Sequence, residues 1–135
     1  MKKLLIAILI FSGCANNIEL PQFETREEAG RWVYENIEYK LNQDLSTWGE
    51  SDYWQTVEQT LAIRQGDCED LAILLMYILK SQFIENPELI IVNVINSRYN
   101  HVIIKSNNVL YDPSNNRIIM NTIYCIIMII IPQCY

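Results

Sequence analysis

The spacing of apolar residues predicts three helices in the first two thirds of the chain. Residues 25–41 open with the capping-box pair Thr25 and Glu28, and apolar residues then recur every four positions. A second capping box predicts a short helix over residues 56–63. Residues 68–82 carry the most apolar helical face, so we expect this helix to lie at the centre of the fold.

The pattern changes after these helices. Residues 89–96, 101–105 and 109–111 are rich in β-branched side chains and are separated by Asn and Ser, which predicts strands. Residues 42–52 are polar and contain a glycine, which predicts a loop. Helices followed by strands indicate an α+β domain, with the helices packed on an antiparallel sheet.

The turn between the last two predicted strands sets which side chains share a face. Residues 107–108, both Asn, suit the positive φ angles of a two-residue hairpin turn, which places Ser106 opposite Val109. With this register His101 and Asp112 become diagonal neighbours on one face of the sheet. A three-residue loop would send Asp112 to the opposite face.

The N-terminus has the shape of an export signal. Residues 1–13 contain two lysines, then an apolar stretch too short to span a bilayer, then small residues before Cys14. The segment Phe11-Ser12-Gly13-Cys14 resembles the bacterial lipobox, although Leu is usual where Phe11 stands. The resemblance implies acylation of Cys14, with residues 14–24 as a tether and the protein held on the periplasmic or outer side of a membrane. An ordinary signal peptide with a chance cysteine is the alternative.

Composition limits the function classes. The 135 residues suggest one domain, over residues 25–117, and 16 acidic against 10 basic residues give a net charge of −6. An acidic chain without a basic patch argues against nucleic acid as a partner. With a single histidine and no Cys-x-x-Cys spacing, neither a metal nor an organic cofactor is expected. The oligomeric state is left open.

The C-terminal segment allows several interpretations. Residues 118–135 carry no charge after Arg117, and their apolar run is short for a transmembrane helix. A buried strand, an aggregation-prone tail and the read-through of a disrupted gene all fit this composition. Cys125 and Cys134 could form a disulfide, which would leave Cys68 as the free thiol if Cys14 is acylated.

Candidate chemistry is concentrated at residues 66–70, Gly-Asp-Cys-Glu-Asp. Asp67 is a good N-cap, so Cys68 would be the first residue of the central helix, where backbone N–H groups and the helix dipole favour a thiolate. The neighbouring carboxylates oppose a second negative charge, so an imidazolium is needed, and His101 is the candidate. Asp112, at the end of the following strand, could orient the imidazole.

These motifs resemble a known family. The segments Trp-Gln-Thr at 54–56, Glu-Gln-Thr-Leu at 58–61 and Gly-Asp-Cys-Glu-Asp-Leu-Ala at 66–72 look like the bacterial transglutaminase-like cysteine proteinases. The resemblance covers residues 53–115. It implies a papain-like, transglutaminase-like fold with Cys68 as nucleophile, His101 as base and Asp112 orienting the base. It also implies a protein or peptide substrate and makes Gln55 a candidate donor to the oxyanion.

The hypothesis is therefore a lipid-anchored, transglutaminase-like cysteine peptidase. Whether water or an amine resolves the acyl-enzyme, which separates a protease from a transglutaminase, is left open. Two alternatives remain: an inactive lipid-anchored binding module that retains the fold, and a structural lipoprotein whose Cys68 is a core residue.

Anchoring can be tested on the full chain. If Cys14 is acylated, the mature protein should partition into detergent, and Cys14→Ser should move it to the aqueous phase. Mass spectrometry of the N-terminus provides the check. An unmodified N-terminus, or cleavage at another residue, would remove the lipoprotein hypothesis.

Overall fold

The computed structural model describes residues 19–41, 43–94 and 97–119, together with the backbone of 124–130. Within these ranges the helices and strands follow one another along the chain as α1 (Arg26–Asn36), β1 (Glu38–Tyr39), α2 (Gln43–Trp48), α3 (Val57–Ile63), β2 (Gln65–Gly66), α4 (Cys68–Ser81), β3 (Glu88–Val94), β4 (Asn100–Ser106), β5 (Val109–Asp112), β6 (Arg117–Ile119) and β7 (Tyr124–Ile130). Among the described helices, none is both long and apolar enough to cross a membrane.

The predicted helices form, with two corrections. Thr25 caps α1 by accepting a hydrogen bond from the N–H of Glu28, as expected, but the Glu28 side chain accepts from the N–H of Glu24 and not from that of Thr25, so the capping box is incomplete. The extension of this helix to residue 41 was wrong: Ile37 is extended and ends the helix, because the chain leaves it to pair as β1 with a distant strand. The loop prediction for residues 42–52 was also wrong, since α2 forms there.

The main sheet has five antiparallel strands in the order β6-β5-β4-β3-β7. Strands β3, β4 and β5 lie where the sequence pattern predicts them. The three-residue strand β6 was missed, because so short a segment has no periodicity to read. The apolar C-terminal segment contributes β7, which pairs with β3 through an irregular register. Residues 124–130 therefore form a strand, and the other interpretations of this segment stay predictions.

The hairpin register is confirmed. Ser106 pairs with Val109 across a two-residue turn, and Asn107 and Asn108 have φ angles of 49° and 62°. Asn tolerates this left-handed region better than most residues, which explains the choice of residue. His101 and Asp112 therefore lie on the same face of the sheet, as predicted.

Helix α4 packs against the other face of the sheet. Its apolar side chains form one core cluster with Val102, Ile104 and Tyr111, whereas Ile103 belongs to a second cluster on the far side. Helix α1 closes the first cluster: its Gly30 lies against the ring of Tyr111, so closely that a Cβ there would overlap the ring. The sheet thus carries apolar side chains on both faces, and α4 lies directly over the strand that begins near His101.

A second, two-stranded sheet fixes the start of α4. Strand β1 pairs in parallel with β2, with Tyr39 beside Gly66 and the N–H of Lys40 donating to the Gly66 carbonyl at 2.8 Å. A Cβ at Gly66 would lie 2.7 Å from the Cβ of Asp70. Only glycine therefore lets β2 run so close to the first turn of α4.

Candidate active site

Cys68 is the first residue of α4, as the sequence predicts, and is 8% exposed. Two neighbours act on its thiol. The Sγ–H donates to Oε2 of Glu69 at 3.1 Å, and the backbone N–H of Val102 is near enough to the sulfur to lower the pKa of the thiol. The thiol therefore lies against the residue that follows His101.

The geometry of the sheet explains why the Val102 N–H is available. Hydrogen-bonded pairs alternate along an antiparallel ladder, so counting from the turn directs the N–H of Val102 towards the position of Pro113. The pairing of β4 with β5 ends at Ile104 and Tyr111, before that position is reached. A main-chain donor is thus left at the edge of β4, near the sulfur of Cys68.

His101 and Asp112 meet at this same edge. Nε2 of His101 lies 3.0 Å from Oδ2 of Asp112, and the two side chains are 15% and 0% exposed. The geometry at Nε2 does not meet the criteria for a hydrogen bond to this oxygen, so the contact is a close approach that becomes an ion pair when the imidazole is protonated. Because Nε2 faces the carboxylate, Nδ1 is the ring nitrogen left for a thiol or a substrate.

The contacts of Asp112 favour its ionised form. Burial alone would raise its pKa, but His101, the amide of Asn115 at 2.7 Å and the backbone N–H of Ser114 at 3.0 Å together hold the pKa below its ordinary value. A carboxylate that is buried, charged and hydrogen-bonded on both oxygens has a fixed orientation. It can therefore fix the orientation of the imidazole.

The thiol, by contrast, is neutral in this arrangement. Burial raises the pKa of Cys68 far above its ordinary value, and the negative charge of Glu69 raises it further, while the Val102 N–H lowers it. Burial is therefore the largest cause of the raised pKa, and the charge of Glu69 adds to it, as expected for a neighbouring carboxylate. The predicted thiol–imidazole contact of less than about 4 Å stays a prediction.

Gln55 is held by the start of α4. Its side-chain Nε2 donates to Oδ2 of Asp70 at 2.5 Å and to the carbonyl of Gln65 at 3.4 Å, and its backbone N–H donates to Oδ1 of Asp70 at 2.8 Å. Both amide hydrogens thus have acceptors, and the residue is 1% exposed. Its role as oxyanion donor stays a prediction, and in this arrangement that role would require one of these bonds to break.

A cluster of carboxylates lies beside the thiol, and no sequence pattern predicted it. Asp44, Asp52 and Glu69 each bring an oxygen within 4.8 Å of the others. One oxygen of Asp44 and one of Asp67 are buried and lack a partner among the described residues. Asp44 and Asp52 come from the segment that was predicted as a plain loop, so no pattern marked them; α2 and the turn after it bring them to α4.

The cluster opens into a cleft of about 360 Å³. The paired residues Ile91 and Val102 of the sheet and Trp54 give it apolar surface, and Leu41 and Tyr99 also line it. Leu41 and Tyr99 are 58% and 62% exposed, so both offer apolar surface to solvent at this cleft. Cys68 and Glu69 line the same cleft, so a molecule bound there would lie beside the thiol.

The side chains of the other three cysteines are not among those that the structure describes. Cys14 and Cys134 lie outside the described residues, and Cys125 belongs to β7, of which only the backbone is described. The predictions of an acylated Cys14 and of a possible disulfide between Cys125 and Cys134 therefore stay predictions.

The sequence matches the model of a protein family described as a transglutaminase-like domain, over residues 19–115. Among curated proteins none gives a significant match. The match includes the residues of β1 to β5 that surround Cys68, His101 and Asp112.

Solved structures of the same fold are also found. LapG from Legionella pneumophila superposes with a TM-score of 0.58 at 18% identity, covering 69% of this chain and 54% of LapG. Its calcium-bound form gives a TM-score of 0.56 at 18% identity, with 71% and 56% covered. A candidate cysteine protease from Cytophaga hutchinsonii gives 0.51 at 15% identity, with 75% and 34% covered. This chain therefore spans about half the length of LapG, and at these identities the likeness shows the fold.

The environment of Asp112 predicts a pH dependence of stability. Because its pKa is lower in the folded protein than in the unfolded chain, the stability it contributes is complete above the ordinary value of 3.8 and is lost as the pH falls through the folded value. Asp112→Asn should therefore lower the free energy of unfolding by about 1 to 3 kcal/mol at pH 7. The difference from wild type should shrink below pH 4.

Chemical denaturation across a pH series measures this difference. Glu58→Gln, which removes an exposed carboxylate from α3, is the matched control for loss of one charge. Equal differences between wild type and Asp112→Asn at every pH would contradict the pairing with His101.

Proposed function

Because the chain belongs to the transglutaminase-like domain family, we propose that it is a cysteine peptidase or acyltransferase acting on a peptide amide. The observation that carries the proposal is the pairing of His101 with the buried carboxylate of Asp112, 3.0 Å apart at the edge of β4. The thiol of Cys68 lies near the backbone N–H of Val102, the residue that follows His101. The structural similarity to a candidate cysteine protease supports it.

In the proposed reaction the thiol proton passes to Nδ1 of His101. The sulfur of Cys68 then attacks the amide carbonyl carbon, forming the S–C bond while the carbonyl π electrons move to oxygen. As the C–N bond breaks, the imidazolium gives its proton to the leaving amine, which leaves an acyl-thioester. Attack by water regenerates the thiol and makes the protein a peptidase; attack by an amine makes it an acyltransferase.

The proposed roles of the other residues follow from their positions. Asp112 keeps the imidazole in one orientation and stabilises its charged form. The N–H of Cys68 itself, at the first turn of α4, is one donor for the oxyanion, since the first N–H groups of a helix have no intrahelical acceptor. The cleft between Leu41 and Tyr99 receives the substrate as an extended segment, because exposed apolar side chains beside a reactive group indicate a binding site.

Before the neutral thiol of Cys68 can react, its hydrogen bond to Glu69 must break. We propose that Asp44, Asp52 and Glu69 hold a divalent cation of the calcium type. Their donors are all carboxylate oxygens, which calcium prefers, and the buried Asp44 oxygen without a partner needs such a counter-charge. The existence of a calcium-bound form of LapG supports the proposal. When bound, the cation would supply positive charge beside Cys68.

Attachment to a membrane is the last part of the proposal. The lipobox-like segment ending at Cys14 supports an acyl anchor, and the net charge of −6 argues against electrostatic adhesion to anionic lipid. The acyl chains would then hold the domain on the periplasmic or outer side of a membrane, next to envelope proteins that could serve as substrates.

An inactive binding module remains the second candidate, because the thiol is neutral and bonded to Glu69 in the structure. Such a module would use the same cleft without turnover. The two candidates differ in whether Cys68 can be acylated.

Acylation by p-nitrophenyl acetate tests the proposal. Wild type should release p-nitrophenolate in a burst equal to one thiol per chain, and Cys68→Ala should abolish the burst. His101→Ala should slow it by about 10²- to 10⁴-fold, the usual contribution of a general base. A burst of the same rate in Cys68→Ala would rule out the proposed nucleophile, and full activity of His101→Ala would rule out the base.

Cation binding is tested separately by calorimetry with calcium chloride and by terbium luminescence on the full chain. Asp44→Asn and Asp52→Asn should each weaken binding by about tenfold or more, because each removes a charged ligand. Glu35→Gln, which removes an exposed carboxylate from α1, should bind as wild type does. Absence of binding in the wild type, or equal binding in all variants, would contradict the site.

A further inference from the structure

Tyr39 lies beside the candidate active site, although no sequence pattern indicates a role for it. It lies in β1, directly paired with Gly66 of β2, two residues before Cys68. Paired strands lie about 4.8 Å apart and two residues span at most about 7 Å, so the Cα atoms of Tyr39 and Cys68 are within roughly 12 Å. A tyrosine side chain can cover most of such a distance.

The direction of the Tyr39 side chain follows from its partner. Residues paired across two strands project their side chains from the same face of the sheet. At Gly66 that face is the one against α4, because a Cβ there would meet the Cβ of Asp70 in the first turn of the helix. The ring of Tyr39 is therefore on the side where α4 begins.

The electrostatic surroundings of the hydroxyl agree with this placement. Burial raises the pKa of Tyr39 to about 12, and the negative charges of Asp67, Glu69 and Asp112, together with that of Cys68 when its thiol is ionised, act in the same direction. Cys68 belongs to α4 and Asp112 to the end of β5, so the phenol is close to both components of the site. At any physiological pH it keeps its proton and is a hydrogen-bond donor.

The Tyr39 hydroxyl is also available as a hydrogen-bond donor. Within the described part of the chain it has no hydrogen-bond partner, whereas both amide hydrogens of Gln55 are taken by Asp70 and the Gln65 carbonyl. We propose that Tyr39 is a catalytic residue that donates a hydrogen bond to the oxygen of the substrate carbonyl as Cys68 attacks it. This inference rests on the proposed thiol chemistry.

The step needs no proton transfer from Tyr39. As the S–C bond forms, the carbonyl π electrons become a negative charge on oxygen, and the phenol O–H bonds to that oxygen alongside the N–H of Cys68. The bond strengthens as the charge develops, so it lowers the barrier to acylation. Alkylation of the thiol by iodoacetamide develops no such oxyanion and should not depend on it.

Comparison of the two reagents tests the proposal. In Tyr39→Phe, acylation of Cys68 by p-nitrophenyl acetate should slow by about 10- to 1000-fold, as for removal of one oxyanion donor. Alkylation by iodoacetamide at the same pH should keep its wild-type rate. Tyr34→Phe, which removes an exposed hydroxyl from α1, is the matched control and should leave both rates unchanged.

The ratio of the acylation rate to the alkylation rate decides the result even if Tyr39→Phe lowers stability, because both reactions count the same folded thiol. An unchanged ratio would overturn the proposal, whether both rates fall together or neither changes. These outcomes are distinct from failure of the proposed function, which would show as wild-type acylation that persists in Cys68→Ala.

Discussion

The buried carboxylate of Asp70 is the interaction on which the site depends. It is fully buried, and its two oxygens accept hydrogen bonds from the backbone and side chain of Gln55 and from the backbone N–H of Asp67. Burial raises its pKa to about 6, so at neutral pH it is still charged. Burying a charge without hydrogen-bond partners costs free energy. The need for these partners therefore favours the packing of the segment around Gln55 against the start of α4. These hydrogen bonds fix the first turn of α4, and they thereby fix the position of Cys68 in that turn.

The sheet supplies the other half of the site by a different means. Its hairpin holds His101 and Asp112 on one face, and because β5 pairs no further than Tyr111, the N–H of Val102 stays outside this ladder, near the sulfur of Cys68. Helix α4 packs on the opposite face, so the path from the thiol to the imidazole runs around the edge of a strand and not across the sheet. The position where β4 and β5 stop pairing is thus as important for the proposed chemistry as the positions where they pair.

Local patterns predicted the parts of this structure that local interactions determine. The N-cap at Thr25, the capping box at Thr56, the apolar face of α4 and the Asn-Asn turn were all predictable, because each involves residues within a few positions of one another. The family resemblance predicted the fold, which the family match and the solved structures confirm. The early end of α1 and the formation of β1 were not predictable, since they depend on pairing with residues 65–66, far along the chain. The carboxylate cluster was missed for the same reason: its members come from separate segments that only the folded chain brings together.

The two-residue turn at Asn107 and Asn108 has a consequence for how this chain can change over evolution. Adding one residue there would exchange the two faces of β5 and move Asp112 from His101 to the side of α4, without altering any residue of the site. Adding two would restore the arrangement. Loops elsewhere on the surface tolerate insertions of any size, but this one admits only even steps. Among relatives of this chain, the parity of one turn should separate lineages that keep the His–Asp pair from those that have lost it.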